Sequence, residues 1–569
     1  MVITFLSSTS HRESNPTWMP GTDARYLPQT FMGLTRQFFG VPSTESKFSK
    51  HYLTSLPQQS ERGAAVDPEC TTKVKTAHVF CEGNDIYDAT LNLTNVLENN
   101  NKFYILQILK DNATQNYSVW FRWGRVGLRG QSMLTSCGDD VEEAKRLFCE
   151  KFFAKTLNEW GNRSEFESVP GKYDLVKVNY SNEEEENDEK KGNGKSRLKK
   201  SRRTPPSKLD KKLQAVINLI CDMQTMDDCL KEMRFDASKL PLGKLTRDQI
   251  TAGYESLKKI ERCIKAAKQS RNALANACNE YYTRIPHCFG MRRPPLITDL
   301  DSVKTEIALL EVLSDAEVTV RTIKKMSGSK KNPIDMKYDQ MMYSLEAIGH
   351  SSNEFGIIEA YLHNTHGPTH VFFKLKLIDL FKCHRKNGKE NENDGFYDIN
   401  NQTSLLPVYR FSMLLWHGSR LVNWYSILCS GLKIAPPEAP STGYMFGKGI
   451  YFADISSKAA NYCMTTEQKN VGLVLLCEVA LGKQAELTEA DCQAAEHLGK
   501  CNSVKGVGKL TPDPSENYKL PDGCVIPLGH PVPNRLTQET CLQYNEYIVY
   551  DLSQIRLRYL AKLKFTYEC

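Results

Sequence analysis

The sequence predicts a multidomain α+β protein, and three observations carry that prediction. The chain has 569 residues, too many for one hydrophobic core and enough for roughly three or four folded units. Its apolar residues change period twice: they alternate as in strands from residue 75 to 180, recur at helical spacing from 208 to 327, and return to strand runs beyond Pro333. A charged stretch with no period separates the first two zones.

In order along the chain, residues 1–74 are rich in Ser, Thr, Pro and Gln, and are expected to be disordered. Residues 75–180 hold strand patterns at Phe103–Leu109 and Ser118–Gly127 and a helical pattern at Val141–Thr156, which predicts an antiparallel sheet plus a helix. Residues 181–207 run acidic from Glu183 to Glu189, then basic from Lys190 to Arg203, and reach Pro205-Pro206. Like charges repel and stay solvated, so this is a linker. Residues 208–327 predict an all-α bundle, with Leu213, Val216, Ile217 and Ile220 on one face of its first helix and further helices at 246–267, 272–282 and 301–326. Residues 333–569 predict an α+β domain with strands at 371–380, 472–481 and 555–565.

The net charge of +7 is mild for this length, so any nucleic-acid footprint is a local patch. None of the 18 cysteines lies in Cys-x-x-Cys spacing, and most sit in apolar segments, which points to reduced buried thiols. Cys492, His497 and Cys501 give three loosely spaced metal-ligand types, too few for a structural zinc, and no metal is expected. No apolar run approaches the roughly 20 residues that cross a bilayer, so no membrane role is expected.

The chemistry is concentrated in three short segments: Leu414-Leu415-Trp416-His417-Gly418-Ser419-Arg420, Gly447-Lys448-Gly449-Ile450-Tyr451-Phe452-Ala453, and Tyr544-Asn545-Glu546-Tyr547. Each is an apolar strand that delivers polar residues to its end, the way a sheet gathers remote side chains into one cleft. Any one alone would be an ordinary strand end. Together and in this order, with Ile434–Pro440 and Asn545–Tyr550 as context, they closely resemble the His-Tyr-Glu signature of the ADP-ribosyltransferase fold in its poly(ADP-ribose) polymerase version.

That resemblance implies NAD as substrate and no metal. His417 would hydrogen-bond the adenine-side ribose, and the backbone of Gly418 would hold the nicotinamide carboxamide. Tyr451 and Tyr462 would stack on the nicotinamide ring, and Ser419, Phe452 and Ala453 complete the implied NAD-binding set. Tyr444, in the loop 435–446, would flank the adenine side. Glu546 would take the 2′-hydroxyl of the nicotinamide ribose, steady the developing cation and polarise the acceptor hydroxyl, while Lys458 would reach the acceptor region. The implied catalytic set is thus Glu546, His417, Tyr451 and Lys458. Two departures stand out: Ala459 replaces the usual serine, and the chain ends Tyr567-Glu568-Cys569 without the usual terminal Leu-Trp, which puts docking of a serine-directing accessory factor in doubt.

Residues 75–180 resemble a WGR domain, whose motif is Trp123-Gly124-Arg125. By that resemblance Asn101, Lys102, Arg122, Trp123, Arg125 and Tyr173 would surround the end of a broken or nicked DNA. The bundle, with connectors at 241–245 and 286–291, resembles the regulatory domain that blocks NAD until DNA loosens its helices. The lysine-preceded Ser196 and Ser201 of the linker are expected automodification sites, beside acceptor proteins such as histones, and the basic run fits a nuclear protein. The whole resembles the short, zinc-finger-free, DNA-dependent type of the family. A mono-ADP-ribosyltransferase and a non-catalytic DNA-end scaffold are the alternatives.

Overall fold

The computed structural model describes residues 64–178, 205–235, 245–324, 331–386, 411–535 and 539–568. The linker serines Ser196 and Ser201, and the connector 241–244, lie outside the described residues.

The first unit is a sheet of β1 (Ala77–Val79), β2 (Asp88–Asn95), β3 (Asn100–Asp111), β4 (Tyr117–Arg125), β5 (Gln131–Gly138) and β6 (Asp174–Leu175), in the order β5-β4-β3-β2-β6 with β1 added along β3. Strands β3 and β4 pair antiparallel from Lys102↔Arg125 to Lys110↔Tyr117. The alternation then puts Tyr104, Leu106 and Ile108 on the face covered by α1 (Val141–Thr156). That helix starts where the Asp140 carboxylate accepts the Glu143 N–H, and buries Ala144, Phe148, Phe152 and Thr156 as one stripe four residues apart.

The opposite face corrects one expectation. Disorder was predicted through residue 74, yet Ala64, Val66 and Cys70 are buried against Leu109 and Trp120. Among them the Asp67 carboxylate accepts the Trp120 indole N–H at 3.1 Å and pairs with Arg122 at 2.5 Å, both partners nearly fully buried. Losing one partner of such a pair typically costs about 3–5 kcal/mol. A sheet with apolar residues on both faces needs a second cover, and an average over the polar N-terminal stretch hides the few residues that supply it.

The helical zone comprises α2 (Lys211–Ile220), α3 (Met223–Glu232), α4 (Arg247–Lys265), α5 (Arg271–Arg284) and α6 (Leu300–Lys324). Asp210, Asp222, Thr246 and Ser270 cap the first four through their side chains. The predicted helix α2 exists, but its stripe of Leu213, Val216, Ile217 and Ile220 packs on Phe381, Leu415 and Trp424 of the C-terminal region, not on the bundle. Helices α4 to α6 also share a core with that region, where Leu257, Leu310 and Leu313 cluster with Tyr444, Phe446 and Tyr451.

The C-terminal region holds α7 (Pro333–Asp339), β7 (Tyr343–Ala347), α8 (Asn353–Asn364), β8 (Phe373–Arg385), β9 (Ser412–Gly418), α9 (Trp424–Ser430), β10 (Ile450–Phe452), α10 (Ser456–Ala460), β11 (Val471–Ala480), β12 (Gln484–Leu487), β13 (Ser503–Gly506), β14 (Tyr518–Lys519), β15 (Val525–Ile526), β16 (Glu546–Val549) and β17 (Ile555–Tyr567). One sheet runs β14-β15-β9-β11-β17-β8-β7, and a second runs β10-β16-β13-β12. Reciprocal backbone bonds between Trp416 and Ala453 join them, so the end of β9 meets the end of β10. Among the described residues no helix is long and apolar enough to cross a membrane.

Candidate active site and nucleic-acid face

The junction of the two sheets creates the pocket. Its walls are His417 and Gly418 at the end of β9, Tyr451, Phe452 and Ala453 at the end of β10, Lys458 and Ala459 on α10, Tyr462 just beyond, and Glu546 at the start of β16. Seven residues of the NAD-binding set expected from the sequence therefore share one cavity, together with Lys458 of the expected catalytic set.

His417 is 1% exposed, and its Nδ1 lies 3.0 Å from the Tyr451 carbonyl. Burial drives its pKa down to about 3, so the ring is neutral, Nδ1 donates, and Nε2 is left as a bare acceptor. That Nε2 is buried without a partner among the described residues. Glu546 is 3% exposed; one carboxylate oxygen sits 3.0 Å from Lys458 Nζ and the other is buried without a partner among the described residues. Lys458 also donates to the carbonyls of Tyr544 and Asn545, each at 2.9 Å. The Tyr451 hydroxyl donates to the Gly447 carbonyl at 2.8 Å and accepts the Phe446 N–H at 3.0 Å, which fixes the ring as a wall.

Gly418 is required by contact: a Cβ there would lie 1.9 Å from the Ala459 carbonyl oxygen. Ala459 itself lines the pocket, and the neighbouring serine does not replace the missing hydroxyl. Ser457 turns away, accepting the Gly367 N–H and facing His370 Nδ1, both at 2.7 Å.

Two predicted residues are elsewhere. Ser419 Oγ accepts from the Asn423 amide at 3.0 Å and does not line the pocket, because the chain turns away from β9 after Gly418. Tyr444 is wholly buried under α6, its hydroxyl directed at Glu311 at 3.3 Å.

The helical zone grips the loop that carries Tyr444. Glu261 of α4 accepts the Thr442 N–H at 2.8 Å, the Ser441 N–H at 3.3 Å and the Thr442 hydroxyl, while Lys265 pairs with it at 2.8 Å. Burial works against its ionisation, but these donors prevail and hold its pKa below the usual value. Beside it a cavity of about 300 Å³ opens between α4, α6 and residues 427–436, walled by Tyr254, Glu311, Asp315 and Lys433.

Removal from water pushes the Glu311 carboxyl there up to about 8. A carboxyl raised on folding contributes fully below its unfolded value of 4.5, and that contribution is lost as pH climbs through 8. The parent's unfolding midpoint should therefore drop, relative to Glu311→Gln, by on the order of 5 °C between pH 6 and 8. Parallel curves for the two proteins would show that Glu311 is already ionised.

The predicted DNA residues divide. Trp123 stacks on Tyr104 at 5.7 Å, Tyr173 meets Tyr104 edge-on at 6.2 Å, and Lys102 is exposed on the same face. The other three are engaged within the protein itself. Arg122 is on the opposite face, buried against Asp67. Asn101 is fully buried and donates to the His287 carbonyl, while Arg125 donates to the carbonyls of Gly290, Arg292 and Asn99. They connect the sheet to the helical zone, where Gly127 lies so close that a Cβ would be 2.2 Å from Cys288 Sγ. Further such bonds run from Asn92 to the Tyr282 and Thr283 carbonyls.

The fold also assembles a basic patch that strand reading missed. Lys155 lies 4.9 Å over the Tyr104 ring, and burial followed by the nearby charges of Lys151, Lys172 and Lys102 lowers its pKa. These lysines come from a helix, a loop and a strand, so no spacing in the sequence announces the cluster.

Comparison with known proteins agrees with the geometry. Residues 352–565 match the poly(ADP-ribose) polymerase catalytic domain, residues 207–338 the poly(ADP-ribose) polymerase regulatory domain, and residues 87–167 the WGR domain. Human poly(ADP-ribose) polymerase 2 is 48% identical over 531 residues, covering 93% of this chain and 88% of that protein. The Arabidopsis thaliana protein of the same name is 41% identical over 513 residues, 90% of this chain and 78% of that protein. Chicken poly(ADP-ribose) polymerase 1 is 39% identical over 507 residues, 89% of this chain but 48% of that protein. The chain therefore belongs to the poly(ADP-ribose) polymerase family, and is an NAD+ ADP-ribosyltransferase with a WGR, a helical regulatory and a catalytic domain.

Proposed function

We propose that the chain is a nuclear, DNA-break-activated poly(ADP-ribose) polymerase, which transfers ADP-ribose from NAD to protein side chains and then to ADP-ribose hydroxyls. One observation supports this reading above others: a buried imidazole acceptor and a buried carboxylate oxygen, both without donors among the described residues, in one cavity with two tyrosines. Orphaned buried acceptors are costly unless a ligand supplies hydroxyls. Two riboses do so, and a flat ring suits the tyrosine walls.

In that reading His417 takes an adenine-ribose hydroxyl at Nε2, and Gly418 meets the carboxamide. Tyr451 and Tyr462 flank the nicotinamide ring, and Glu546 receives the 2′-hydroxyl of its ribose. The bond between ribose C1′ and the nicotinamide nitrogen breaks with its electron pair leaving on nicotinamide. A new bond forms from C1′ to the acceptor oxygen, whose proton departs. The negative charge of Glu546 opposes the positive charge building on the ribose, in a site from which water is largely excluded. Lys458 holds Glu546 rather than the acceptor.

Lys102, Trp123, Tyr173, Lys151, Lys155 and Lys172 form the DNA-end face, cations for phosphate and an aromatic surface for the terminal nucleotide. Arg125 and Asn101 couple that face to the helices. Those helices restrain the adenine side through Glu261, and DNA releases them. Histone-like proteins and the chain's own Ser196 and Ser201 are the acceptors.

The test is nicotinamide release and product length with and without a 5′-phosphorylated nicked duplex. Stimulation by about tenfold or more, with a ladder of long products, is expected. Equal rates with and without DNA would reject break activation, and single-unit products would favour a mono-ADP-ribosyltransferase.

A further inference from the structure

We propose that Asp454, which follows the pocket residues Phe452 and Ala453, is the positioning residue that aims Glu546 from behind the strand. The inference rests on the role given above to Glu546. Asp454 is 1% exposed and does not line the pocket, so it acts through other residues. Its Oδ2 accepts the Asn545 side-chain amide at 2.8 Å and the Tyr547 hydroxyl at 3.1 Å. These are the two neighbours of Glu546. In a strand, neighbours point away from the residue between them, so Asp454 clips both from the face opposite the ribose.

The residues leading into Glu546 are held a second time. Lys458 grips the carbonyls of Tyr544 and Asn545 together with the Glu546 carboxylate, each within 3.0 Å. Asn545 reaches further: its oxygen accepts the Gly508 N–H at 2.9 Å, and its amide also donates to Thr511 Oγ1 at 3.0 Å. The start of β16 is thus fixed on several sides, and Asp454 is the one carboxylate among the described residues that binds both flanks of Glu546.

The remaining oxygen, Oδ1, is buried without a partner among the described residues. A core built only for stability would place a side chain here with no orphan acceptor. Burial raises the Asp454 pKa, while the Asn545 and Tyr547 donors oppose the rise. The arrangement keeps a strong acceptor against two donors at some cost, as expected where aim matters more than stability. Displacing a reacting group by about 1 Å can lower a rate by about 100-fold, which gives such a clip kinetic leverage.

The experiment uses the full chain with nicked duplex and compares the parent, Asp454→Asn, Tyr547→Phe and the double variant. The asparagine keeps the shape but not the charge: its oxygen meets both donors as a weaker, neutral acceptor only by placing its NH2 in the buried site of Oδ1, where no acceptor lies among the described residues. Nicotinamide release should fall by about 10- to 100-fold in kcat for Asp454→Asn, with KM for NAD within about twofold and products shortened. Benzamide, a mimic of the nicotinamide end, should still raise the unfolding temperature as in the parent, because the pocket walls are untouched. Both substitutions strike the same contact, so the double variant should lose less than the product of the two single losses.

An unchanged kcat, or a raised KM at constant kcat, would overturn the proposal, as would strictly additive effects in the double variant. Should Asp454→Asn fail to fold, Tyr547→Phe tests the same contact alone, with a fall of about threefold in kcat expected and none overturning it. A parent that releases no nicotinamide would instead reject the role of Glu546.

Discussion

Replacing Glu546 by glutamine is expected to lower DNA-stimulated nicotinamide release by about 10²- to 10³-fold, the usual loss when a fixed group facing developing charge is removed from an enclosed site. The amide keeps the shape of the carboxylate at the mouth of β16, so the walls made by Tyr451, Tyr462 and Gly418 stay in place. KM for NAD should therefore change by only a few-fold, the sign of an interaction used mainly in the transition state. The substitution also leaves the Lys458 ammonium facing a neutral partner, with the carbonyls of Tyr544 and Asn545 still holding it. Steady-state kinetics with nicked duplex decide the matter; a variant keeping more than about a tenth of the parent rate would remove Glu546 from the chemistry.

The second large effect has the opposite sign. Glu261→Ala should raise activity in the absence of DNA by roughly 10- to 100-fold, because it removes three donors' shared acceptor between α4 and the loop at Ser441 and Thr442. Hydrogen bonds to a charged group contribute about 1.5–3 kcal/mol each, so losing this set shifts a closed-to-open balance by that order. Activity with saturating DNA should be nearly unchanged, since the restraint is already released there. Basal activity equal to the parent's would mean that the contact does not restrain NAD entry, and Lys433–Asp315 would be the next candidate.

Much of this architecture could be read from periodicity. The Val141–Thr156 helix was expected with the bounds it has, because a capping aspartate precedes a stripe of apolar residues four apart. The pocket was legible through the resemblance of three segments taken together, not through periodicity, since a strand bearing His417, Tyr451 or Glu546 near one end is ordinary by itself. What failed was the direction of single side chains. Arg122 and Trp123 are adjacent in β4, and only the alternation decides that one pairs with Asp67 while the other stacks on Tyr104. Arg125 offers cationic donors that suit phosphate and backbone carbonyls alike, and proximity to Gly290 chose the carbonyls. Asp67 lay hidden in a polar segment, and Asp454 looked like any loop aspartate until its two partners were brought to it by β16. Helix α2 carried the right stripe, but a stripe does not say which core will take it.

The close approach of Gly418 to the Ala459 carbonyl bears on how this enzyme could evade a nicotinamide-competitive drug. Every larger residue at 418 would force strand and helix apart and, on the role proposed for Gly418, ruin the seat for the substrate carboxamide together with that for the drug. On that reading escape by point mutation is closed at 418, and selection under such a compound should return changes around the rim instead.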